Sequence, residues 1–132
     1  MIVGAYPGGV DVVSDELDDD PTIDITTVGR RSGLSRRVEI WMMDIDGRFF
    51  ITGTPGRRHW LANLLADPTI VVHLKRKAHL DLPAQARPVE AIETRRMVLE
   101  HARSRWYREQ EPLADLIAAA PMVEVVFDAT AD

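Results

Sequence analysis

Apolar residues, many of them β-branched, are concentrated in short stretches that turn-forming residues separate. Such stretches are typical of β-strands, because branched side chains pack well on a pleated surface. The sequence predicts six strands, at residues 22–28, 36–44, 48–53, 69–74, 79–91 and 122–127. The turn Asp44-Ile45-Asp46-Gly47 contains the glycine of a tight hairpin, so the second and third strands are predicted to pair. Six strands joined mostly by short turns indicate a small closed barrel.

Helical periodicity appears in three segments between or after these strands. Over residues 57–66 apolar side chains recur at helical spacing, and the residue before Pro68 ends the segment because it avoids the helical region. Residues 93–107 form the longest predicted helix, with Val98, Ala102 and Trp106 on one face, and a shorter helix begins near Pro112. The predicted fold class is therefore mainly β with flanking helices (α+β), a six-stranded antiparallel barrel.

The start of the chain differs in composition from the rest. Residues 1–24 contain seven acidic residues and no lysine or arginine, whereas residues 25–132 contain 14 acidic and 16 basic residues. Segments rich in acid, glycine and proline bury little apolar surface, so residues 1–20 are predicted to be a largely disordered acidic leader. A valine-rich part of it could instead dock as a short strand or helix, and its acids could act as a flap over a basic site. Residues 21–132 are predicted to form the folded domain.

Length and composition exclude several classes of protein. The 132 residues suit one domain, and no apolar run approaches the roughly 18 residues that a transmembrane helix needs. No secretory signal is predicted at the N-terminus. Cysteine is absent, which excludes disulfides and thiolate sites and fits a cytoplasmic location. The formal charge of +2 over residues 25–132 is too small for a typical nucleic-acid-binding protein, so no nucleic-acid partner is expected.

The segment from residue 26 to residue 37 concentrates glycine and arginine between the first two predicted strands. Its sequence is Thr26-Thr27-Val28-Gly29-Arg30-Arg31-Ser32-Gly33-Leu34-Ser35-Arg36-Arg37. Glycine lets backbone N–H groups approach an anion closely, and arginine adds forked, permanently charged donors. This first bend can therefore hold a phosphate or carboxylate group. A solvated hairpin turn, whose arginines only keep it hydrated, explains the same residues about equally well.

A second bend with glycine and arginine follows the third predicted strand. Its sequence is Gly53-Thr54-Pro55-Gly56-Arg57-Arg58. If the second and third strands pair as an antiparallel hairpin, both bends lie at the same end of the barrel. The two bends would then form one basic rim, where a phosphorylated cofactor could lie with its ring over the apolar barrel wall.

Other kinds of chemistry have less support in the sequence. The four histidines show no ligand spacing with a carboxylate, so no metal site is predicted. Ser32 lacks the Gly-x-Ser-x-Gly setting of a nucleophile, and a Ser–His–Asp triad is not supported. His73 lies in an apolar strand, as structural histidines do. Four aromatic residues could stack on a cofactor or substrate, although core packing explains each of them singly: Trp41, Trp60, Trp106 and Tyr107.

Three blocks of sequence between about residues 23 and 76 carry a resemblance to a known family. The first, from Thr26 to Arg36, reads Thr-Thr-x-Gly-Arg-x-Ser-Gly-x-x-Arg. The second is Val38-Glu39-Ile40-Trp41, and the third is Trp-Leu-Ala-Asn-Leu-Leu-Ala-Asp-Pro over residues 60–68. In this order and spacing they resemble the deazaflavin-dependent nitroreductases, the coenzyme F-420-dependent quinone reductases, within the flavin-reductase-like split barrels. The chain departs from the family at Glu39, where a proline is usual.

The resemblance implies a split β-barrel of the FMN-binding type, which binds a deazaflavin, or in relatives FMN, in an elongated groove. Arg31 and Arg36 match the basic positions that contact the phosphate side of the cofactor. The second bend is shorter than the family's Ser-x-Gly-Gly loop and lacks its serine and lysine, so Arg57 or Arg58 would supply the missing charge. The predicted cofactor-binding residues are Arg30, Arg31, Ser32, Gly33, Arg36, Gly53, Thr54, Gly56, Arg57, Arg58 and Trp60.

The activity implied by the resemblance is hydride transfer from reduced coenzyme F-420 to a quinone, nitro compound or activated alkene. The cofactor carries the chemistry, so no catalytic side chain is predicted. Trp106 and Tyr107 are candidates for the substrate pocket, by analogy with tyrosines late in the family's chain. Two alternatives stay open, an FMN-dependent oxidoreductase and a non-catalytic module that binds a cofactor or ligand. A homodimer is expected by analogy with other split barrels.

Overall fold

A computed structural model describes residues 10–128 and shows seven strands in one antiparallel sheet. The strands are β1 Thr22–Val28, β2 Ser35–Trp41, β3 Met43–Ile45, β4 Arg48–Thr52, β5 Thr69–Leu74, β6 Leu80–Pro88 and β7 Met122–Phe127. Their order across the sheet is β2-β1-β5-β6-β7-β4-β3. The helices are α1 Val10–Asp19, α2 His59–Ala66, α3 Ile92–Glu100, α4 Arg105–Gln110 and α5 Leu113–Ala119, with a 3-10 turn at Ala102–Ser104.

The strand predicted at residues 36–44 is in fact two strands, which corrects the predicted count of six. The chain leaves β2 at Trp41 and enters β3 at Met43, and these strands occupy opposite edges of the sheet. Met42 joins them, is fully buried, and donates its backbone N–H to the carbonyl oxygen of Pro21 at 2.9 Å. One residue thus links the two edges, so the sheet is curled into a barrel-like form. The predicted hairpin pairing holds only for β3 with β4, since β2 pairs with β1.

Two hydrophobic cores lie on the two faces of the curled sheet. The first core is inside the curl, where alternate residues of β1, such as Ile23 and Ile25, meet side chains from α1 and α2. The second core packs α3, α4 and α5 against Phe50 and other residues of β3, β4 and β7. Met42 belongs to the first core and Met43 to the second. Successive buried side chains therefore pass from one face of the sheet to the other at the point where β2 ends and β3 begins.

Part of the predicted disordered leader is a helix, which is a second difference from the sequence prediction. Helix α1 places Val13 and Leu17 in the first core, where each is at least 98% buried. The carboxylate of Glu16 accepts backbone N–H bonds from each residue of the turn 75–78, at 2.8 to 3.1 Å. These contacts explain why an acidic segment is ordered. Residues 1–9 lie outside the described residues, so the leader's boundary at residue 20 stays a prediction.

The helix predicted at residues 93–107 is interrupted at His101, which adopts an extended backbone conformation with ψ of 150°. The Ser104 hydroxyl donates to the carbonyl oxygen of Val98 at 2.6 Å, and the Arg108 guanidinium donates to that of Leu99 at 2.6 Å. The last carbonyl groups of α3 thus accept hydrogen bonds from side chains, because no further turn of helix provides backbone N–H groups for them. Of the three residues predicted to share one face, Val98 is buried, whereas Ala102 and Trp106 are exposed. None of the helices within residues 10–128 is long and apolar enough to span a bilayer.

Candidate functional site

The first bend, between β1 and β2, is held by its own backbone. The N–H of Gly29 donates to the carbonyl oxygen of Leu34, and the N–H of Gly33 donates to that of Gly29, both at 2.8 Å. Gly33 has a φ of 72°, a conformation that disfavours other residues. A Cβ on Gly29 would lie 2.7 Å from Ser32 Oγ and 3.1 Å from the carbonyl oxygen of Leu34, so a side chain at this position would force Ser32 to move. The two glycines of the motif therefore fix a compact bend.

A groove of about 430 Å³ opens between this bend and the first turns of α2. Its lining residues are Thr27, Gly29, Arg30, Arg31, Ser32, Arg36, Val38, His59, Trp60 and Asn63. The lining contains three arginines and no aspartate or glutamate. Val38 and Trp60 give it an apolar wall beside the cationic part. This combination suits a ligand that has both a negatively charged portion and a flat apolar ring.

Asn63 connects helix α2 to the first bend. Its side-chain oxygen accepts hydrogen bonds from the backbone N–H of Arg30 at 3.1 Å and from Arg30 Nη1 at 2.9 Å. Its side-chain nitrogen donates to Thr27 Oγ1 at 3.1 Å. Arg30 Nη2 also donates to His59 Nδ1 at 3.4 Å. Asn63 is 4% exposed, so the bonds to its side chain are partly or fully shielded from water, whereas the contact between Arg30 and His59 is exposed.

The other two arginines of the groove are less constrained. Arg36 Nη2 reaches Ser32 Oγ at 3.5 Å, which is a long hydrogen bond. Arg31 forms no hydrogen bond or ion pair with any residue between 10 and 128. Both side chains belong to exposed residues that line the groove. Their guanidinium groups therefore keep donors that an anionic ligand can use.

The second bend lies next to the groove but does not line it. Arg58 Nη2 donates to the carbonyl oxygen of Thr54 at 2.7 Å and to its hydroxyl at 3.1 Å, so this arginine holds its own loop. His59 follows it directly in α2, and contacts Arg30 of the first bend. The two bends thus meet at the start of α2. Six predicted cofactor-binding residues are not among the lining residues: Gly33, Gly53, Thr54, Gly56, Arg57 and Arg58.

Five lining residues were not in the predicted set, namely Thr27, Gly29, Val38, His59 and Asn63. Asn63 lies three residues after Trp60 and four after His59, so helical spacing from Trp60 would have found Asn63 and spacing from Asn63 would have found His59. Thr27 and Gly29 belong to the quoted motif. Val38 follows from strand alternation, since Arg36 and Val38 point to the same side of β2. The sequence gives no local sign that α2 packs against the first bend, which lies about 30 residues earlier in the chain, or which face of the helix does so.

The aromatic residues proposed for the substrate pocket form a cluster elsewhere. The ring of Trp106 lies 5.4 Å from that of Trp41 and 5.3 Å from that of Tyr107, in edge-on geometry. Trp41 and Trp106 are 39% and 46% exposed, whereas Tyr107 is 5% exposed. Burial raises the pKa of Tyr107 to about 12. The structure does not bring Trp106 or Tyr107 into the lining of the groove.

Polar side chains on the outer face of the sheet form hydrogen-bonded chains across its strands. His73 Nε2 lies 2.6 Å from Thr26 Oγ1, and His73 Nδ1 lies 2.6 Å from Asp81 Oδ1. A hydroxyl, an imidazole and a carboxylate in this order also form a catalytic triad. A triad needs free backbone N–H groups near the hydroxyl to bind an oxyanion, but Thr26 lies on β1, which pairs with strands on both sides, so its backbone N–H groups are used in the sheet. These bonds join β1, β5 and β6. His73 is thus a hydrogen-bonded structural residue, as the sequence indicated.

Two acidic residues on the same face, Asp24 and Glu39, form ion pairs with neighbouring basic side chains. Lys75 Nζ lies 2.7 Å from Asp24 and 2.5 Å from Glu39, and Arg37 lies 2.9 Å from Asp24. The hydrogen bond from Lys75, and then that from Arg37, hold the pKa of Asp24 below its usual value against the opposing effect of burial. Glu39, where the resembled family usually has a proline, therefore has an ion-pair partner in Lys75, directly after β5. Within residues 10–128 there is no group of three or more histidine, aspartate or glutamate residues arranged to hold a metal ion.

Comparisons with known proteins relate the chain to one family. The model of the F420H(2)-dependent quinone reductase family matches residues 5–112. A solved F420-H2 dependent reductase (FDR-A) is 23% identical, with a TM-score of 0.57, and the match covers 80% of this chain and 94% of that one. A conserved hypothetical protein from Mycobacterium tuberculosis is 19% identical, with a TM-score of 0.68, covering 98% of this chain and 84% of that one.

A third similar structure is described as a domain-swapped dimer. It is 20% identical, with a TM-score of 0.56, and the match covers 91% of this chain and 99% of that one. At these identities the three structures establish a shared fold. No curated protein matches the chain in sequence.

Proposed function

The chain belongs to the F420H(2)-dependent quinone reductase family, and from that premise we propose that it transfers hydride from reduced coenzyme F-420 to a small organic acceptor. The family match confirms the resemblance seen in the sequence and the predicted cofactor, coenzyme F-420. The acceptors proposed are a quinone, a nitro compound or an activated alkene. The observation that carries the proposal is the groove that joins three arginines to an apolar wall.

The residues of the groove fit this cofactor. Its phosphate-bearing tail needs cationic donors, and Arg31 and Arg36 have donors that no residue of the described chain fully uses. Its tricyclic ring needs a flat apolar surface, and Val38 and Trp60 provide one on the adjoining wall. The lining contains no carboxylate that would repel the tail. We therefore assign Arg31 and Arg36 to the anionic part and Val38 and Trp60 to the ring.

Reduced coenzyme F-420, when bound, supplies a hydride and so carries out two-electron reduction. The protein then needs no covalent nucleophile, and its residues act by binding, orientation and exclusion of water. Arg30 contributes through its position, because Asn63 holds its guanidinium against α2. A fixed guanidinium loses little entropy when it meets an anion. Trp60 is partly buried against the first core, which keeps its ring in place.

Three further assignments belong to this proposal. Gly53, Thr54, Gly56, Arg57 and Arg58 of the second bend, with Gly33 of the first, are proposed to shape the end of the groove near His59. Trp106 and Tyr107 are assigned to the aromatic cluster with Trp41, which lies outside the lining of the groove, and not to the acceptor. A homodimer is proposed, in keeping with the domain-swapped dimer among the similar structures.

The test is a titration of the purified protein with coenzyme F-420 and with FMN, side by side. We expect F-420 to bind at micromolar concentration, and the double variant Arg31→Ala, Arg36→Ala to bind it at least about a hundredfold more weakly, because two charge-assisted bonds are lost. The control is Arg96→Ala, which removes an exposed arginine paired with Glu100 at 3.7 Å. Unchanged affinity in the double variant would remove the proposed site.

Two alternatives give different results in the same experiment. An FMN-dependent oxidoreductase would bind FMN more tightly than F-420 and would be a yellow protein with absorbance near that of free flavin. A non-catalytic module would bind F-420, but the reduced cofactor would stay reduced when quinones, nitro compounds and activated alkenes are added in turn. Oxidation of the reduced cofactor by one of these acceptors would identify the acceptor class.

A further inference from the structure

A second cavity, of about 240 Å³, lies on the face of α2 opposite the groove. Leu61 and Leu65 of α2 form one wall, whereas His59, Trp60 and Asn63 face the groove. Val89 and Ala119 belong to the other walls. Most of the lining is apolar, and two charged residues, Glu90 and Arg95, complete it. This cavity is separate from the proposed cofactor site, because the helix stands between them.

Arg95 is a buried cation that has no acidic partner among residues 10–128. It is 9% exposed, and its guanidinium bonds only to backbone carbonyl oxygens. Nε donates to Ile117 at 2.6 Å, Nη1 to Val89 at 2.9 Å, and Nη2 to Leu116 at 3.2 Å and Ala120 at 2.6 Å. A guanidinium has five N–H groups, so four bonds leave one N–H on Nη1 unused.

The carbonyl groups explain part of this arrangement. Three of the four belong to the end of α5 and its continuation, where the helix dipole places partial negative charge, and one of them, that of Leu116, also accepts the backbone N–H of Ala120. Burial alone lowers the pKa of Arg95, but arginine stays protonated in proteins. Arg95 is therefore a full positive charge with no ion pair among residues 10–128, and the one carboxylate that lines the same cavity, Glu90, is exposed. Buried charges in proteins are normally paired with an opposite charge.

We propose that this cavity binds a small apolar monocarboxylate, with its carboxylate on Arg95 and its hydrocarbon body against Leu61, Leu65 and Val89. The carboxylate of the ligand supplies the negative charge that Arg95 lacks, and it accepts a hydrogen bond from the N–H on Nη1 that no carbonyl uses. The volume is below the range of about 300–1,000 Å³ for sites of drug-sized ligands, which limits the ligand to roughly ten non-hydrogen atoms. Glu90 is exposed and lines the same cavity, so a second negative charge on the ligand would be repelled.

The experiment is isothermal titration of the full chain with benzoate, benzamide and phthalate. Benzoate has the charge and the size that the cavity requires, benzamide has the shape without the charge, and phthalate has a second carboxylate. We expect benzoate to bind at least about tenfold more tightly than either of the others, which is the effect of one charge-assisted hydrogen bond. Equal affinities for benzoate and benzamide, or no benzoate binding at all, would overturn the proposal.

Two variants locate the binding without disturbing Arg95, whose replacement risks unfolding. Ala119→Leu fills the cavity from an exposed position and should weaken benzoate binding at least about tenfold. Ala118→Leu, at the neighbouring exposed position outside the lining, is the control and should bind benzoate as the parent chain does. The double variant Arg31→Ala, Arg36→Ala should also bind benzoate normally. Loss of benzoate binding in that double variant, with normal binding in Ala119→Leu, would place benzoate in the groove instead.

Discussion

Asn63 binds Arg30 twice, through the backbone N–H at 3.1 Å and through Nη1 at 2.9 Å, with the same side-chain oxygen accepting both bonds. One buried amide on α2 therefore sets the position of the first bend and of one arginine in the groove. The bend and the helix form the two sides of the groove. Its width and its charge thus depend on a contact between residues 33 positions apart.

Replacing Asn63 should disturb both stability and cofactor binding. In Asn63→Ala, Thr27 loses a donor and Arg30 loses its acceptor, and we expect the free energy of unfolding to fall by about 2–3 kcal/mol. Affinity for F-420 should also fall, because Arg30 is no longer held. Thr27→Val removes only the bond between Thr27 and Asn63, so it should lower stability less and keep most of the affinity. Urea unfolding and F-420 titration of both variants test this, and equal losses in the two would contradict it.

Glu16 should make the stability of the fold depend on pH in the acidic range. Burial alone would raise the pKa of Glu16, but four backbone N–H bonds from residues 75–78 bring it below its ordinary value of 4.5. Stability from these bonds is therefore complete above about pH 4.5, and declines as the pH falls through the lowered pKa.

The matched variants for this prediction are Glu16→Gln and Asp15→Asn. Glu16→Gln should lose about 2–4 kcal/mol at pH 7, because an amide cannot accept four N–H bonds, and should show a weaker loss of stability below pH 4.5. Asp15 is on the same helix with a side chain that is 70% exposed, so Asp15→Asn should have little effect. Urea unfolding at several pH values measures both. An identical acid profile in Glu16→Gln and the parent chain would count against the role of Glu16.

Tyr107 should reduce stability at alkaline pH. Burial raises the pKa of its phenol from 10.0 to about 12, so the folded chain keeps this proton over a range where the unfolded chain releases it. Stability should then fall between about pH 10 and pH 12, by at most about 1.4 kcal/mol per pH unit. Tyr107→Phe should remove this component. Absorbance at the phenolate band during a pH titration checks the pKa, and a normal value near 10 would refute the expectation.

The two arginines of the second bend should behave differently when each is replaced. Arg58 donates twice to Thr54, so Arg58→Ala should loosen the loop and lower the melting temperature. The side chain of Arg57 forms no bond with any described residue, and its backbone carbonyl, which accepts from Arg58 Nη1 at 3.1 Å, is kept in Arg57→Ala. Arg57→Ala should therefore leave the melting temperature unchanged and weaken F-420 binding by roughly fivefold. Thermal melts and F-420 titrations separate these effects. Normal F-420 affinity in Arg57→Ala would show that this bend supplies no charge to the cofactor.

Local sequence was enough to predict most of the elements and the core of the candidate site. Strands β1, β4, β5 and β7 and helix α2 agree with the predictions within two residues at each end. The first bend depends on Gly29 and Gly33, whose effects act over a few neighbouring residues. For that reason the motif could be read without knowing the rest of the fold, and three arginines that it contains do line the groove.

Tertiary structure decided the features that depend on distant partners. Met42 ends one strand and begins another because its side chain enters the first core and the next residue enters the second. Glu16 is ordered because the turn 75–78 offers four N–H groups. Asn63 holds Arg30 because α2 packs beside the bend. Local sequence therefore determined which segments form strands, bends and helices, since those preferences act between neighbours. The closing of the sheet and the walls of the groove were decided only when packing brought distant residues into contact.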